Sequence, residues 1–156
     1  MQSTAAGAAR RGLGSEAIVI LLDTGFFLAL RNDRDPFHAR AVVIGQEIMG
    51  GQHGRPVVSD YIFAEVLNFL SGRQTPEHRF RQVIDELLGR GGHPWVHLVR
   101  VGPEMFDAAV ALFEKLGPAR GLSFTDCSSI VLARGLGTSL IASFDSGFDG
   151  VLDRLS

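Results

Sequence analysis

Residues 17–32, AIVILLDTGFFLALRN, decide how the chain is read. From Ala17 to Leu22 the run is unbroken apolar and rich in β-branched residues. A strand with no polar alternation needs cover on both faces, as in the centre of a parallel sheet. Asp23-Thr24 then ends the strand and opens a short helical segment through Leu30. Asp23 has two readings. It caps that helix, or it belongs to a site, because open α/β sheets bind ligands outside the carboxyl ends of their strands.

Outward from this stretch, strands and helices alternate. NDRDP (32–36) is a polar break, and Pro36 suits the first turn of a helix running to about Met49. RPVVS (55–59) reads as a second strand. Ser59 or Asp60 caps a helix from about Tyr61 to Leu70, closed by Ser71-Gly72. Another helix runs from Thr75-Pro76-Glu77 to about Leu88. WVHLVRV (95–101) is a third strand. Pro103 starts a helix to about Leu116, which Gly117-Pro118 stops. GLSFTDCSSIVLARG carries a cap signal and an apolar helix ending at Gly135. TSLIAS (138–143) is a fourth strand, and VLDRLS (151–156) is a last short strand or a tail. The order predicts a three-layer α/β/α sandwich around a parallel sheet of four to five strands.

The 156 residues fit one domain with one sizeable core, and 46% apolar content is that of a globular chain. Residues 17–156 form that domain. Residues 1–16, small and polar with an Arg pair but no apolar core segment, read as a flexible lead rather than a secretory signal. No apolar run reaches the roughly 18 residues needed to span a bilayer. The single Cys127 cannot staple the chain to itself, and the cytosol is the simplest compartment. A net charge of −2 excludes a wholly basic nucleic-acid binder but not a nuclease, whose carboxylates bound cations can offset.

Four acids interrupt apolar surroundings. Asp145 follows the fourth strand as Asp23 follows the first; its alternative is a turn residue in Asp145-Ser146-Gly147. Glu65, with Asn68 one helical turn on, interrupts YIFAEVLNFL; a buried carboxylate is costly unless paired or metal-bound, while the alternative is a narrow solvent-facing stripe. Asp126 stands in SFTD with capping-box spacing from Ser123, so it is a helix-capping acid, a site acid, or both. A doubly wound sheet brings all four elements to one edge. Converging carboxylates repel and stay ionised together only around cations, and an all-oxygen set suits Mg²⁺ or Mn²⁺ rather than zinc.

Other chemistries find no support. His38, His53, His78, His93 and His97 show no HExxH spacing, and neither a phosphate-binding GxxxxGK[ST] loop nor a GxSxG elbow is present. Asp23-Thr24-Gly25 also occurs around the acid of aspartic proteases, but those need two such loops on an all-β scaffold. A receiver domain would want paired acids after the first strand, and a DxD phosphatase is excluded by Gly25.

The motifs together resemble the PIN-domain ribonucleases, especially the VapC toxins of toxin–antitoxin pairs. ILLDTGFFLAL is similar to the family's first motif, SDYIFAEVLNFL to the second, GLSFTDCSSIVLA to the third and LIASFDSGFDGV to the fourth. They occur in the family's order over residues 17–152. The resemblance implies a PIN-like fold, and metal-dependent cleavage of RNA that leaves a 5′-phosphate and a 3′-hydroxyl. Asp23 and Asp126 would be the firmest Mg²⁺ ligands, with Glu65 and Asp145 completing the catalytic pocket. Thr24 and Thr125 would support carboxylates or water, as would Asn68, and Asp149 is a rival for the fourth acid. Arg31, Arg34 and Arg73 are candidate RNA contacts. A homodimer and a small antitoxin are the implied partners, with no membrane. The alternative within the family is a module that binds RNA or protein without cutting.

Overall fold

The structure, a computed structural model, describes residues 7, 10, 12–14, 17–92 and 94–156. Five parallel strands form one sheet in the order β3-β2-β1-β4-β5. They are β1 (Val19–Leu22), β2 (Arg55–Ser59), β3 (His97–Val99), β4 (Leu140–Ala142) and β5 (Asp153–Leu155). Between them lie α1 (Thr24–Arg31), α2 (His38–Met49), α3 (Asp60–Ser71), α4 (Glu77–Leu87), α5 (Pro103–Arg120) and α6 (Phe124–Leu136). This is the α/β sandwich that the sequence predicts, with a fifth strand where a strand or a tail had been open.

Period-two alternation divides the core between two faces. Val19, Leu21, Val57 and Ile141 pack with Met105, Ile130 and Leu132 of α5 and α6. Ile20, Leu22, Val58 and Ala142 pack with Phe26, Phe27, Ile44, Ile62 and Leu87 of α1–α4. All four residues of β1 are therefore buried, which accounts for its lack of polar alternation. Gly54 marks the tightest approach at the entry to β2. It has φ +88°, and a Cβ there would lie 2.4 Å from the Ile18 carbonyl oxygen.

The strands expected over residues 95–101 and 138–143 are shorter, His97–Val99 and Leu140–Ala142, and two helices run past their expected stops. The helix from Pro103 does not stop at Gly117-Pro118 but continues to Arg120 and ends on left-handed Gly121. Pro118 is exposed within the last turn of the helix, where it removes one backbone donor. Gly117 is buried, and a side chain there would collide with the Phe113 ring. The helix containing Asp126 likewise runs on to Leu136 and caps on Gly137.

The expectation for residues 1–16 falls mostly outside the described residues, as does His93. Among those described, Leu13 is 3% exposed and belongs to the core under α5 and α6. The Arg55 guanidinium donates to the carbonyls of Gly12 and Leu13 at 3.2 and 3.1 Å. No helix among the described residues is long and apolar enough to cross a membrane.

Candidate active site

Sheet order places the site. From β1 the chain goes to β2 on one side and, much later, to β4 on the other; ligands of open α/β sheets bind where the order reverses. In the β1–β4 pairing Leu22 stands beside Ala142, so the next residues, Asp23 and Ser143, emerge side by side at the carboxyl edge. The Ser143 hydroxyl donates to Asp23 Oδ2 at 2.7 Å. The Asp23 N–H donates to the Ala142 carbonyl at 3.0 Å, extending the ladder by one residue.

Asp23, Thr24, Glu65, Ser123, Asp126 and Asp145 line one cleft of about 570 Å³. Three of the acids lining the cleft also cap helices or turns. Asp23 caps α1, its Oδ1 accepting the Thr24 N–H at 2.8 Å. Asp126 completes a reciprocal capping box on α6: Ser123 N–H to Asp126 Oδ2 is 2.6 Å, and Asp126 N–H to Ser123 Oγ is 3.1 Å. Asp145 caps the 3₁₀ turn Ser146–Phe148 through the Gly147 N–H at 2.7 Å. Each carboxylate oxygen has two lone pairs, so capping one N–H leaves acceptor capacity for the cleft. Glu65 is half-buried on α3, where its Oε2 accepts from the Thr24 hydroxyl.

The acids feel one another. Burial lifts the Asp23 carboxyl from 3.8 to about 6; the Ser143 and Thr24 hydrogen bonds oppose the rise, and the charges of Asp126 and Glu65 add to it. Burial also raises Asp126; the Ser123 hydrogen bonds oppose that rise, and the charge of Asp145 adds to it. No basic residue is among those lining the cleft. A hard cation fits this donor set by charge and by oxygen chemistry. As the side chains stand, no three acid, histidine or cysteine groups among the described residues converge on a single ion position.

Other candidates separate cleanly. Asp149 forms a two-pronged pair with Arg154, at 2.7 and 3.1 Å, which holds its carboxyl below the usual range; it does not line the cleft, whereas Asp145 does. Asn68 and Thr125 also stand outside the lining. Arg31, a candidate RNA contact by sequence, is engaged elsewhere. Its guanidinium pairs with Glu86 and lies over the Phe27 ring at 3.5 Å. Arg34 is exposed on the loop before α2. Arg73 lies over Phe69, which does line the cleft.

Sequence reasoning passed over one acid and three rings. Asp35 joins the cleft wall, its Oδ1 accepting the Phe37 N–H at 2.9 Å. Its signal was the Asp-Pro of NDRDP, which reads first as turn chemistry. Phe37, Phe69 and Phe144 complete the wall.

The chain is similar to known proteins over most of its length. A ribonuclease named VapC from Archaeoglobus fulgidus is 29% identical over 128 residues, covering 82% of this chain and 78% of the relative. The crystal structure of Mycobacterium tuberculosis VapC20, a sarcin–ricin loop cleaving toxin, superimposes with a TM-score of 0.68 at 22% identity. It covers 83% of this chain and 92% of its own, a likeness of fold. The PIN domain family model matches residues 20–152, from the central strand through the last loop of the cleft, and the chain belongs to the PIN-domain family.

Proposed function

We propose that the protein is a metal-dependent endoribonuclease and the toxin of a toxin–antitoxin pair. One observation carries the chemistry: Asp23, Glu65, Asp126 and Asp145, from four separate elements, share a cleft with no basic lining residue. The names of the two relatives support RNA as the substrate and a toxin role.

Asp23 and Asp126 would hold Mg²⁺ or Mn²⁺, with Asp145 and Glu65 completing the set. Such an ion, when bound, compensates the substrate phosphate, acidifies a water and stabilises the departing oxygen. The chain's own residues do the positioning. Ser143 and the Thr24 N–H orient Asp23 and favour its ionised form. Thr24 Oγ1 steadies Oε2 of Glu65, leaving that carboxylate to accept a proton from water. The Ser123 N–H anchors Asp126 at the start of α6. Hydrolysis in this sense leaves a 5′-phosphate and a 3′-hydroxyl.

The nuclease reading is tested by RNA cleavage with Mg²⁺ or Mn²⁺, with and without EDTA, beside Asp23→Ala and Asp126→Ala. Cleavage that survives EDTA, or survives in both variants, excludes the metal mechanism. The toxin reading adds a cytoplasmic site of action, a small antitoxin that blocks the cleft, and a homodimer. It is tested by induced expression, which arrests growth for the wild type and not for Asp126→Ala, with rescue by the product of an adjacent small gene.

A further inference from the structure

Phe37 and Phe69 are not accounted for by the carboxylates or by the core. Both rings line the cleft, and they remain 49% and 42% exposed. They come from different elements, Phe37 from the residue before α2 and Phe69 from the last turns of α3. Phe37 stacks on Phe144 with centroids 4.5 Å apart and planes 9° from parallel. Phe144 in turn packs against the buried Phe26 at 6.0 Å. Asp35 fixes the backbone at Phe37 through its N–H. The ring thus rests on a built support while about half of it stays exposed. At Phe69, the Arg73 guanidinium carbon lies 4.5 Å from the ring centroid, which puts a cation beside a cleft whose own lining has none.

Charge alone does not draw a polyanion here, since the chain carries −2 and the cleft is lined by acids. Aromatic faces offer a different source of affinity. Every nucleobase has a π-face, and base–aromatic stacking does not require a positive surface. A cleft of about 570 Å³ also lies within the usual size range of small-ligand sites.

We propose that Phe37 and Phe69 are stacking platforms for unpaired nucleobases flanking the phosphate addressed by the carboxylates, with Arg73 contacting the RNA backbone beside Phe69. This rests on the nuclease reading. It narrows the substrate to RNA whose bases are unstacked at the cut, because a paired base keeps its faces inside the helix.

The test is binding of a short single-stranded RNA, and of the same RNA with one abasic residue placed at successive positions, on the Asp126→Asn background with Mg²⁺ present. Phe37→Leu and Phe69→Leu each weaken binding by about fivefold to a hundredfold. Phe37→Trp retains affinity, and Phe106→Leu, an exposed ring outside the cleft, leaves it unchanged. At one position, the abasic residue abolishes the difference between wild type and Phe37→Leu. The salt dependence corresponds to only about one or two phosphate contacts. Three results would each overturn the proposal: no binding by the parent protein, unchanged affinity in both Leu variants, or an equal loss on intact and abasic RNA at every position. Unchanged RNA affinity together with lost binding of a purified antitoxin assigns the rings to a protein partner instead. Cleavage by the wild type is scored separately, so a nuclease without these platforms is distinguished from a chain that does not cut RNA.

Discussion

The Ser143 hydroxyl donates to Asp23 Oδ2 at 2.7 Å, and its oxygen accepts the Asp145 N–H at 3.0 Å. One fully buried side chain therefore ties together two acids that lie at the ends of neighbouring strands. Ser143→Ala leaves both partners short of a hydrogen bond, at a cost of about 1–3 kcal/mol. The Ser143 bond lowers the Asp23 pKa, so its loss raises it. The acid limb of the pH–rate profile moves to higher pH in Ser143→Ala, and activity at neutral pH falls. Denaturant melts and a pH–kcat profile check both expectations.

Asp23 also sets a pH dependence of stability in metal-free protein. Its folded-state carboxyl titrates at about 6, against 3.8 in the reference state. Between those values the native state holds a proton that the unfolded chain has lost, so stability falls as pH rises through the window. The total is about 3 kcal/mol. Asp23→Asn flattens this part of the curve and exceeds the wild type in stability above about pH 6. Mn²⁺ added at neutral pH raises the Tm of the wild type more than that of Asp23→Asn. Thermal melts in chelator across the acid range, and with metal at neutral pH, provide the readout; an unchanged slope in the variant contradicts the expectation.

Thr24→Val keeps the shape and the backbone N–H that Asp23 accepts, but removes the donor to Glu65. Groups that orient a metal-binding carboxylate typically matter by about 10–100-fold. Cleavage falls by that order in Thr24→Val while the Tm changes little. Glu65→Gln and the double variant then reveal whether the two residues act as one unit, since the second change adds little if they do.

Arg31 is expected to matter for stability and not for RNA. Its Nε donates to Glu86 Oε2 at 3.1 Å and its Nη1 to the Phe27 carbonyl at 3.0 Å, and Trp95 donates to the same glutamate. Arg31→Ala leaves Glu86 without its cation and uncovers the Phe27 ring. A loss of about 2 kcal/mol is expected, reduced from that of a fully buried pair because both side chains are about a quarter exposed. RNA affinity stays unchanged. A stable Arg31→Ala with weakened RNA binding would reverse the assignment.

The parallel sheet was legible because its strands are short apolar runs between turn signals. The four acids stood out because their neighbours are apolar, and the structure places all four along one cleft. Asp126 is the capping acid that its spacing from Ser123 suggested, and it also lines the cleft, where its carboxylate keeps lone pairs. What stayed hidden depends on partners distant in sequence. Arg31 meets Glu86 55 residues away, and Leu13 finds its place only once the core beneath α5 and α6 exists. Gly117-Pro118 read as a stop because the burial of Gly117 and the exposure of Pro118 are tertiary facts. Asp35, Phe37 and Phe69 were overlooked because turn acids and scattered rings are common on any surface, and only their shared cleft distinguishes them.

The bond between Asp23 and Ser143 spans 120 positions of chain. During synthesis the first carboxylate leaves the ribosome long before the strand that completes its surroundings. β1 cannot present Asp23 in its final setting until β4 has docked beside it, and long-range parallel pairing of this kind forms late. A growing chain therefore carries Asp23 without its Ser143 partner for most of its translation.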